Sequence, residues 1–195
     1  MTAAAEQARA FVGVSDHNGW AVLVTVAADT TVLDRRRIAL VDADLPSMPH
    51  HHEGQKLPIE QAVALVGRVR ASADRHAAQH LEALARAVPT SICSIALRAC
   101  PPLPADPAER IRNYRARNVA DWVMYRQALA AAAAARGWTV WWYTAKTVLD
   151  SAASSLNCHT LAPLFVSARA ALGPPWGRDQ KLAMAAAIES ITTSG

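Results

Sequence analysis

Residues 11–26 read FVGVSDHNGWAVLVTV, and this stretch decides the fold. Two β-prone apolar runs flank Asn18-Gly19, which is the strongest short-range signal of a β-hairpin because both central residues of such a turn need positive φ angles. A third β-prone run covers residues 31–41 and carries Arg35–Arg37, which suit an exposed edge strand. The first forty residues therefore predict an antiparallel meander of three strands.

The rest of the chain alternates between helical and strand patterns. In order, the patterns predict a helix over 59–87, a strand over 91–97, a helix from Asp106 to Arg136, a strand over 138–143 and a helix from Arg178 to about Ile191. Strands that are joined by helical crossovers run parallel. We therefore predict an α/β fold: a mixed five-stranded sheet, made of an antiparallel meander plus two parallel strands, with helices on both faces.

Length and composition limit the class of protein to which this chain can belong. The 195 residues are 52% hydrophobic, which is enough for a sizeable core, and we expect one domain over residues 1–195 with a short arm at residues 1–10. No apolar run is long enough for a membrane helix, and no secretory signal is visible at the start. Three widely spaced cysteines suggest reduced thiols. These features predict a cytoplasmic protein without a membrane partner.

The net charge of +4 lies entirely in the second half of the chain. Residues 1–100 hold ten Lys/Arg and ten Asp/Glu, whereas residues 101–195 hold ten and six. Four arginines crowd the start of the long helix: Arg110, Arg112, Arg115 and Arg117. Guanidinium groups fork onto phosphates, so these residues are predicted to contact nucleic acid. The alternative is a solvated helix face that pairs with Glu109 and Asp121.

Four segments match a known pattern in order and spacing. They are Val12–Asp16 followed by Gly19-Trp20, the long helix over 117–137, the run Trp138–Val148, and the alanine-rich helix that starts at Arg178-Asp179. Together they resemble the ribonuclease H-like superfamily, and within it the RuvC-type Holliday-junction resolvases. The resemblance implies a ribonuclease H-like fold, structured DNA or RNA as the partner, a further nucleic-acid contact at Lys146 and a homodimer.

The resemblance also implies metal-dependent phosphodiester hydrolysis by carboxylates that share Mg²⁺ or Mn²⁺. The matching carboxylates are Asp16 and Asp179, which are the candidate catalytic residues and metal ligands. Glu109 or Asp106, at the start of the long helix, is a candidate third ligand. The alternatives are a hairpin-stabilising role for Asp16 and a helix-dipole role for Asp179.

Three departures from the family pattern bear on this site. Ser15 stands between the glycine–aliphatic pair and Asp16, so the short Asn-Gly turn must reset the strand register if Asp16 is to reach the site. No carboxylate occurs over 95–99, where the family has a glutamate, and Leu182 stands where it has a second aspartate. Whether the chain is an enzyme therefore stays open. The alternative is a catalytically degenerate fold that binds nucleic acid or another protein.

A run of histidines forms a second candidate metal site. His50-His51-His52-Glu53 lies in a loop, from which His51 and Glu53 are candidate ligands for Zn²⁺, Mn²⁺ or Ni²⁺. One of these histidines, with Asp16 and His17, is also a candidate substitute for the missing carboxylates. The alternative is a solvent-exposed loop without a metal.

Overall fold

The structure is a computed structural model that describes residues 9–193, which form five strands and six α-helices. The strands are β1 (Arg9–His17), β2 (Trp20–Ala27), β3 (Val32–Ala39), β4 (Ser91–Arg98) and β5 (Thr139–Tyr143). The helices are α1 (Ile59–Ala87), α2 (Pro107–Arg112), α3 (Tyr114–Ala134), α4 (Val148–Ser155), α5 (Ala162–Leu172) and α6 (Arg178–Thr193). A short 3-10 helix covers Glu53–Lys56.

The sheet has the predicted topology. Its strand order is β3-β2-β1-β4-β5, in which β1, β2 and β3 pair antiparallel, while β4 runs parallel to β1 and β5 runs parallel to β4. The antiparallel meander with two parallel strands is thus confirmed. Asn18-Gly19 joins β1 to β2 as predicted, but Gly19 alone of these two residues has a positive φ, 81°.

Two hydrophobic cores lie on opposite sides of the sheet. Ala10, Val12 and Val14 of β1 pack in one core with α1 and α3, and we name this side the α3 face. Phe11 of β1 packs in the other core with α4, α5 and α6, and we name this side the α6 face. Because successive strand residues point to opposite faces, even-numbered side chains of β1 belong to the α3 face and odd-numbered ones to the α6 face.

Helix α6 lies directly on β1 because Gly13 has no side chain. A Cβ atom at residue 13 would lie 1.8 Å from the carbonyl oxygen of Ala183 and 2.6 Å from the backbone nitrogen of Ala187. Both alanines are fully buried. This close approach sets the height of α6 above the sheet and thereby the position of Asp179 in its first turn.

The expected long helix from Asp106 to Arg136 is in fact two helices, α2 and α3. Asp106 caps α2 as its sequence context predicts, and its side chain accepts a hydrogen bond from the Ala108 nitrogen at 3.0 Å. The break falls at Asn113, whose side chain accepts from the Ala116 nitrogen at 3.0 Å and so starts a new helix.

The expected amino-terminal arm falls mostly outside the described residues. Of residues 1–10, the structure describes Arg9 and Ala10, and both belong to β1 rather than to an arm. Within the described part of the chain, no helix combines the length and the hydrophobicity that a membrane crossing requires. The cytoplasmic location stays a prediction.

Candidate nucleic-acid interface at the carboxyl end of the sheet

Asp16 and Asp179 point to different faces of the sheet. The pairing of β1 with β2 is regular through to the turn, so the Asn-Gly turn does not reset the register. Ser15 donates from Oγ to Asp179 Oδ1 at 2.9 Å on the α6 face. Asp16 instead accepts a hydrogen bond from Arg126 of α3. The expected pairing of Asp16 with Asp179 is therefore wrong, because adjacent strand residues point to opposite faces.

On the α6 face, Asp179 is bonded to two side chains of β1. Its Oδ1 atom lies 2.9 Å from Ser15 Oγ and 3.0 Å from His17 Nε2. Burial acts to raise the pKa of Asp179, but the hydrogen bonds from His17 and Ser15 outweigh it and leave the pKa below its ordinary value. The Trp20 ring stacks on His17 at 4.0 Å, and the Arg37 guanidinium lies 4.2 Å from the Trp20 ring centre.

On the α3 face, Asp16 is held between two arginines. Its side chain is 1% exposed, and Oδ2 accepts from Arg126 Nε at 2.7 Å. Arg126, itself 2% exposed, also donates to the Ala99 carbonyl at 2.9 Å, and its guanidinium lies 3.9 Å from the Trp122 ring centre. Arg98 Nε lies 4.0 Å from Asp16 Oδ1. Arg126 therefore binds one oxygen of the Asp16 carboxylate, Oδ2, in a buried ion pair.

These residues do not fit a pair of divalent metal ions. Two-metal hydrolysis requires several carboxylates that converge on the ions. Asp179 lies on the α6 face, Asp16 accepts from Arg126 on the other face, and Glu109 is exposed on α2. Across residues 9–193, no three His, Cys, Asp or Glu side chains are placed to hold a metal ion together. The carboxylates that the structure describes therefore do not match the Mg²⁺ or Mn²⁺ site that the resemblance implied.

The histidine loop is held against α3 by Asp121. His50 is buried, with its Nδ1 atom 2.8 Å from Asp121 Oδ1. The backbone nitrogens of His50 and His51 also donate to this carboxylate, at 2.9 Å and 3.1 Å. Asp121 therefore holds this loop, and the alternative in which Asp121 pairs with the helix arginines does not match the structure. In the described residues, His51 and Glu53 are not joined by a third metal-ligating side chain.

The four predicted arginines divide into two pairs. Arg110 donates from Nε to the Pro104 carbonyl at 2.6 Å, and Arg117 donates to the side chain of a glutamine that follows the histidine loop. These two arginines hold neighbouring loops in place. Arg112 and Arg115 are exposed. The second pair is therefore the one that is free to contact phosphates.

Basic side chains collect where the parallel strands end. Arg98 is the last residue of β4, and the exposed Lys146 follows the end of β5. Arg112 and Arg115 follow the carboxyl end of β4, and the exposed Arg178 precedes Asp179 beside the end of β1. We name these five residues the basic end. In open α/β sheets, ligands bind at the carboxyl ends of the strands.

Sequence reasoning missed several residues of this interface, namely Ser15, Arg98, Trp122 and Arg126. Strand alternation could have found Ser15, because it lies two residues from Gly13 and must share the face on which α6 packs. Helical spacing could have found Arg126, which lies three residues from Val123 and from Leu129, both buried. No comparable signal marks Arg98 or Trp122.

Comparison with known proteins identifies the fold. The sequence matches no family model and no curated protein. Among solved structures, Thermus thermophilus RuvC in complex with a Holliday junction substrate superposes with a TM-score of 0.53 at 14% identity, over 95% of this chain and 94% of that chain. A second Thermus thermophilus RuvC structure gives 0.47 at 13% identity, with the same coverage. The chain thus has the ribonuclease H-like fold of RuvC type, as the resemblance implied.

Proposed function

We propose that this chain binds structured DNA or RNA through its basic end and does not hydrolyse it by two-metal chemistry. The observation that supports the proposal is that basic side chains follow the carboxyl ends of β4 and β5 along the chain, and that the exposed Arg178 precedes Asp179, which is bonded to the end of β1. Each such side chain that meets a phosphate releases a condensed counterion, which favours binding. The RuvC structure of the same fold is a complex with a Holliday junction, which supports a branched ligand.

The directions in which the carboxylates point support the second half of the proposal, that the chain does not hydrolyse nucleic acid by two-metal chemistry. Asp16 is bonded to Arg126 on one face, and Asp179 accepts from Ser15 and His17 on the other. The two carboxylates therefore do not converge on one place, as a pair of shared ions requires. This part of the proposal is independent of nucleic-acid binding and has its own test.

Binding is tested by fluorescence anisotropy with a labelled four-way junction and a matched duplex at several salt concentrations. We expect affinity to fall steeply between about 50 and 200 mM salt. Replacing Arg112 and Arg115 with Ala should flatten the log–log slope by about two, because each phosphate contact contributes about 0.9. The matched control replaces Arg86 and Arg136 with Ala. These exposed arginines precede β4 and β5 and so lie at the opposite end of the sheet.

Two results would contradict the binding proposal. The first is that the wild-type chain retains neither the junction nor the duplex at low salt, in which case a protein-interaction module becomes the better hypothesis. The second is that the control variant weakens binding as much as the variant of Arg112 and Arg115. The homodimer stays a prediction, which light scattering on the chain with and without the junction tests.

Cleavage is tested by incubating the labelled junction with the chain and either Mg²⁺ or Mn²⁺. We expect intact junction on a denaturing gel, because the described carboxylates do not converge on a pair of ions. Cleavage by the wild-type chain that is lost in Asp179→Asn would establish a nuclease and refute this half of the proposal. Binding measured in the same samples without metal would still stand.

A further inference from the structure

Two neighbouring buried polar atoms, one an acceptor and the other a donor, have no hydrogen-bond partner among the described residues. Asp16 Oδ1 is an acceptor and Arg98 Nε is a donor, and neither forms a hydrogen bond within the described residues. They lie 4.0 Å apart, which is too far for a hydrogen bond between them. A third buried atom, the Asn18 side-chain oxygen, also has no hydrogen bond within the same residues. Buried polar groups are nearly always satisfied in folded proteins, so this cluster indicates a ligand.

All three residues line one cleft, which has a volume of about 370 Å³. That volume falls in the range of small-molecule sites, about 300–1,000 Å³. Trp122 forms part of its wall, and the Arg126 guanidinium 3.9 Å from the ring centre holds this tryptophan in place. The cleft therefore combines an aromatic surface with an acceptor and a donor.

The polar atoms decide the chemistry of the ligand. A phosphate group offers acceptors for Arg98 but would bring its negative charge against the Asp16 carboxylate. A nucleobase carries a donor beside an acceptor on its Watson–Crick edge, and proteins that take up an unstacked base read that edge while an aromatic side chain stacks on the ring. The acceptor Asp16 Oδ1 and the donor Arg98 Nε, which have no hydrogen bond, are arranged to complement such a base edge.

We infer that this cleft takes one unpaired nucleobase of the bound nucleic acid, with its Watson–Crick edge on Asp16 Oδ1 and Arg98 Nε and its ring on Trp122. The inference rests on the proposed function and names the structural feature that the chain selects. The Arg98 side chain is 32% exposed, so the cleft is open to solvent beside Arg98. Arg126 binds the other carboxylate oxygen of Asp16, Oδ2, which leaves Oδ1 for the base.

The test compares two DNA hairpins that differ by one base. One hairpin carries a single unpaired base in its stem, and the other carries an abasic residue at the same place, so their phosphates are identical. By anisotropy at one salt concentration, the wild-type chain should bind the first hairpin more tightly by about 5- to 150-fold, the range for one stacked base. Versions with each of the four bases then show which edge the cleft prefers.

Variants of the cleft residues test whether the cleft causes the preference for the hairpin with an unpaired base. Arg98→Ala and Trp122→Leu should each reduce the ratio between the two hairpins by several-fold, whereas Trp142→Leu should leave it unchanged. Trp142 is the matched control because it is an exposed tryptophan of β5 that does not line this cleft. With 2-aminopurine as the unpaired base, binding should quench its fluorescence in the wild-type chain but not in Trp122→Leu.

The outcomes separate this inference from the proposed function. Equal affinity of the wild-type chain for both hairpins overturns the inference. The atoms without a hydrogen bond, Asp16 Oδ1 and Arg98 Nε, are then bridged by water alone. Binding of both hairpins would still support the proposed function. Retention of neither hairpin at low salt refutes the proposed function. Arg98→Ala carries the decisive comparison, because Arg98 stands outside the buried hydrogen bond of Asp16 with Arg126 and its loss should leave the fold intact.

Discussion

Substituting Gly13 with alanine should destabilise the protein, because the added methyl group has no space. Its Cβ atom would lie 1.8 Å from the Ala183 carbonyl oxygen, whereas an ordinary contact begins at 3.4 Å. Helix α6 must therefore retreat by roughly 1.5 Å, since the atoms in the way belong to its backbone. Overpacking of this kind costs about 1–3 kcal/mol, and we expect the upper end, about 3 kcal/mol, because backbone cannot rotate away.

The control is the same substitution at Gly67 of α1. A Cβ atom there meets nothing within 4 Å, and alanine favours a helix over glycine by about 1 kcal/mol. In thermal denaturation followed by circular dichroism, Gly13→Ala should lower Tm by about 6–12 °C. Gly67→Ala should raise it by about 2–4 °C. The two variants carry the same chemical change, so the opposite signs isolate the contact with α6.

A change in Tm of less than about 2 °C in Gly13→Ala would refute the reasoning. It would mean that α6 does not approach β1 as closely as the structure has it, and the hydrogen bond between Ser15 and Asp179 would then also be in doubt. A fall in Tm for both glycine variants would show that the loss is not specific to this contact, because the effect of alanine on the unfolded chain alone should raise Tm.

Two further predictions concern charged pairs. Hydrogen bonds from Arg75 and His76 hold the pKa of Asp42 below its ordinary value. Because the pKa is lower in the folded than in the unfolded state, the stabilisation is present above about pH 4 and is lost as the pH falls further. In urea denaturation at a series of acid pH values, the free energy of unfolding should therefore decline less steeply for Asp42→Asn than for the wild-type chain. Asp16→Asn should cost about 3–5 kcal/mol in the same assay because it leaves Arg126 buried without its partner, and the double variant Asp16→Leu/Arg126→Met should recover part of that loss. A cost below about 1 kcal/mol for Asp16→Asn would show that the pair is solvated rather than buried.

The sheet could be predicted from the sequence because its signals are local. The hairpin at Asn18-Gly19 and the alternation over 91–97 need only neighbouring residues to be recognised. The helix break at Asn113 could not be predicted in this way. Asparagine is tolerated within helices, and here it caps α3 after a short helix whose Ile111 packs against α1.

The candidate site was harder to predict because it depends on which face each side chain takes. Matching residue types favoured Asp16 as the partner of Asp179, whereas strand alternation assigns that place to Ser15. The contact of Asp16 with Arg126 joins residues that are 110 positions apart. Neither hydrophobic periodicity nor local spacing in a single sequence indicates a contact between residues so far apart in the chain.

The charge of the site explains why this chain and a two-metal enzyme must treat a phosphate differently. A cluster of carboxylates repels phosphates, and bound cations are what reverse its charge. Here, the exposed side chains of Arg112, Arg115, Lys146 and Arg178 supply positive charge without a metal ion. Phosphate binding by this end of the sheet should therefore survive a chelator such as EDTA. Affinity for the junction that requires added Mg²⁺ would contradict this argument, and anisotropy with and without EDTA at constant ionic strength measures it directly.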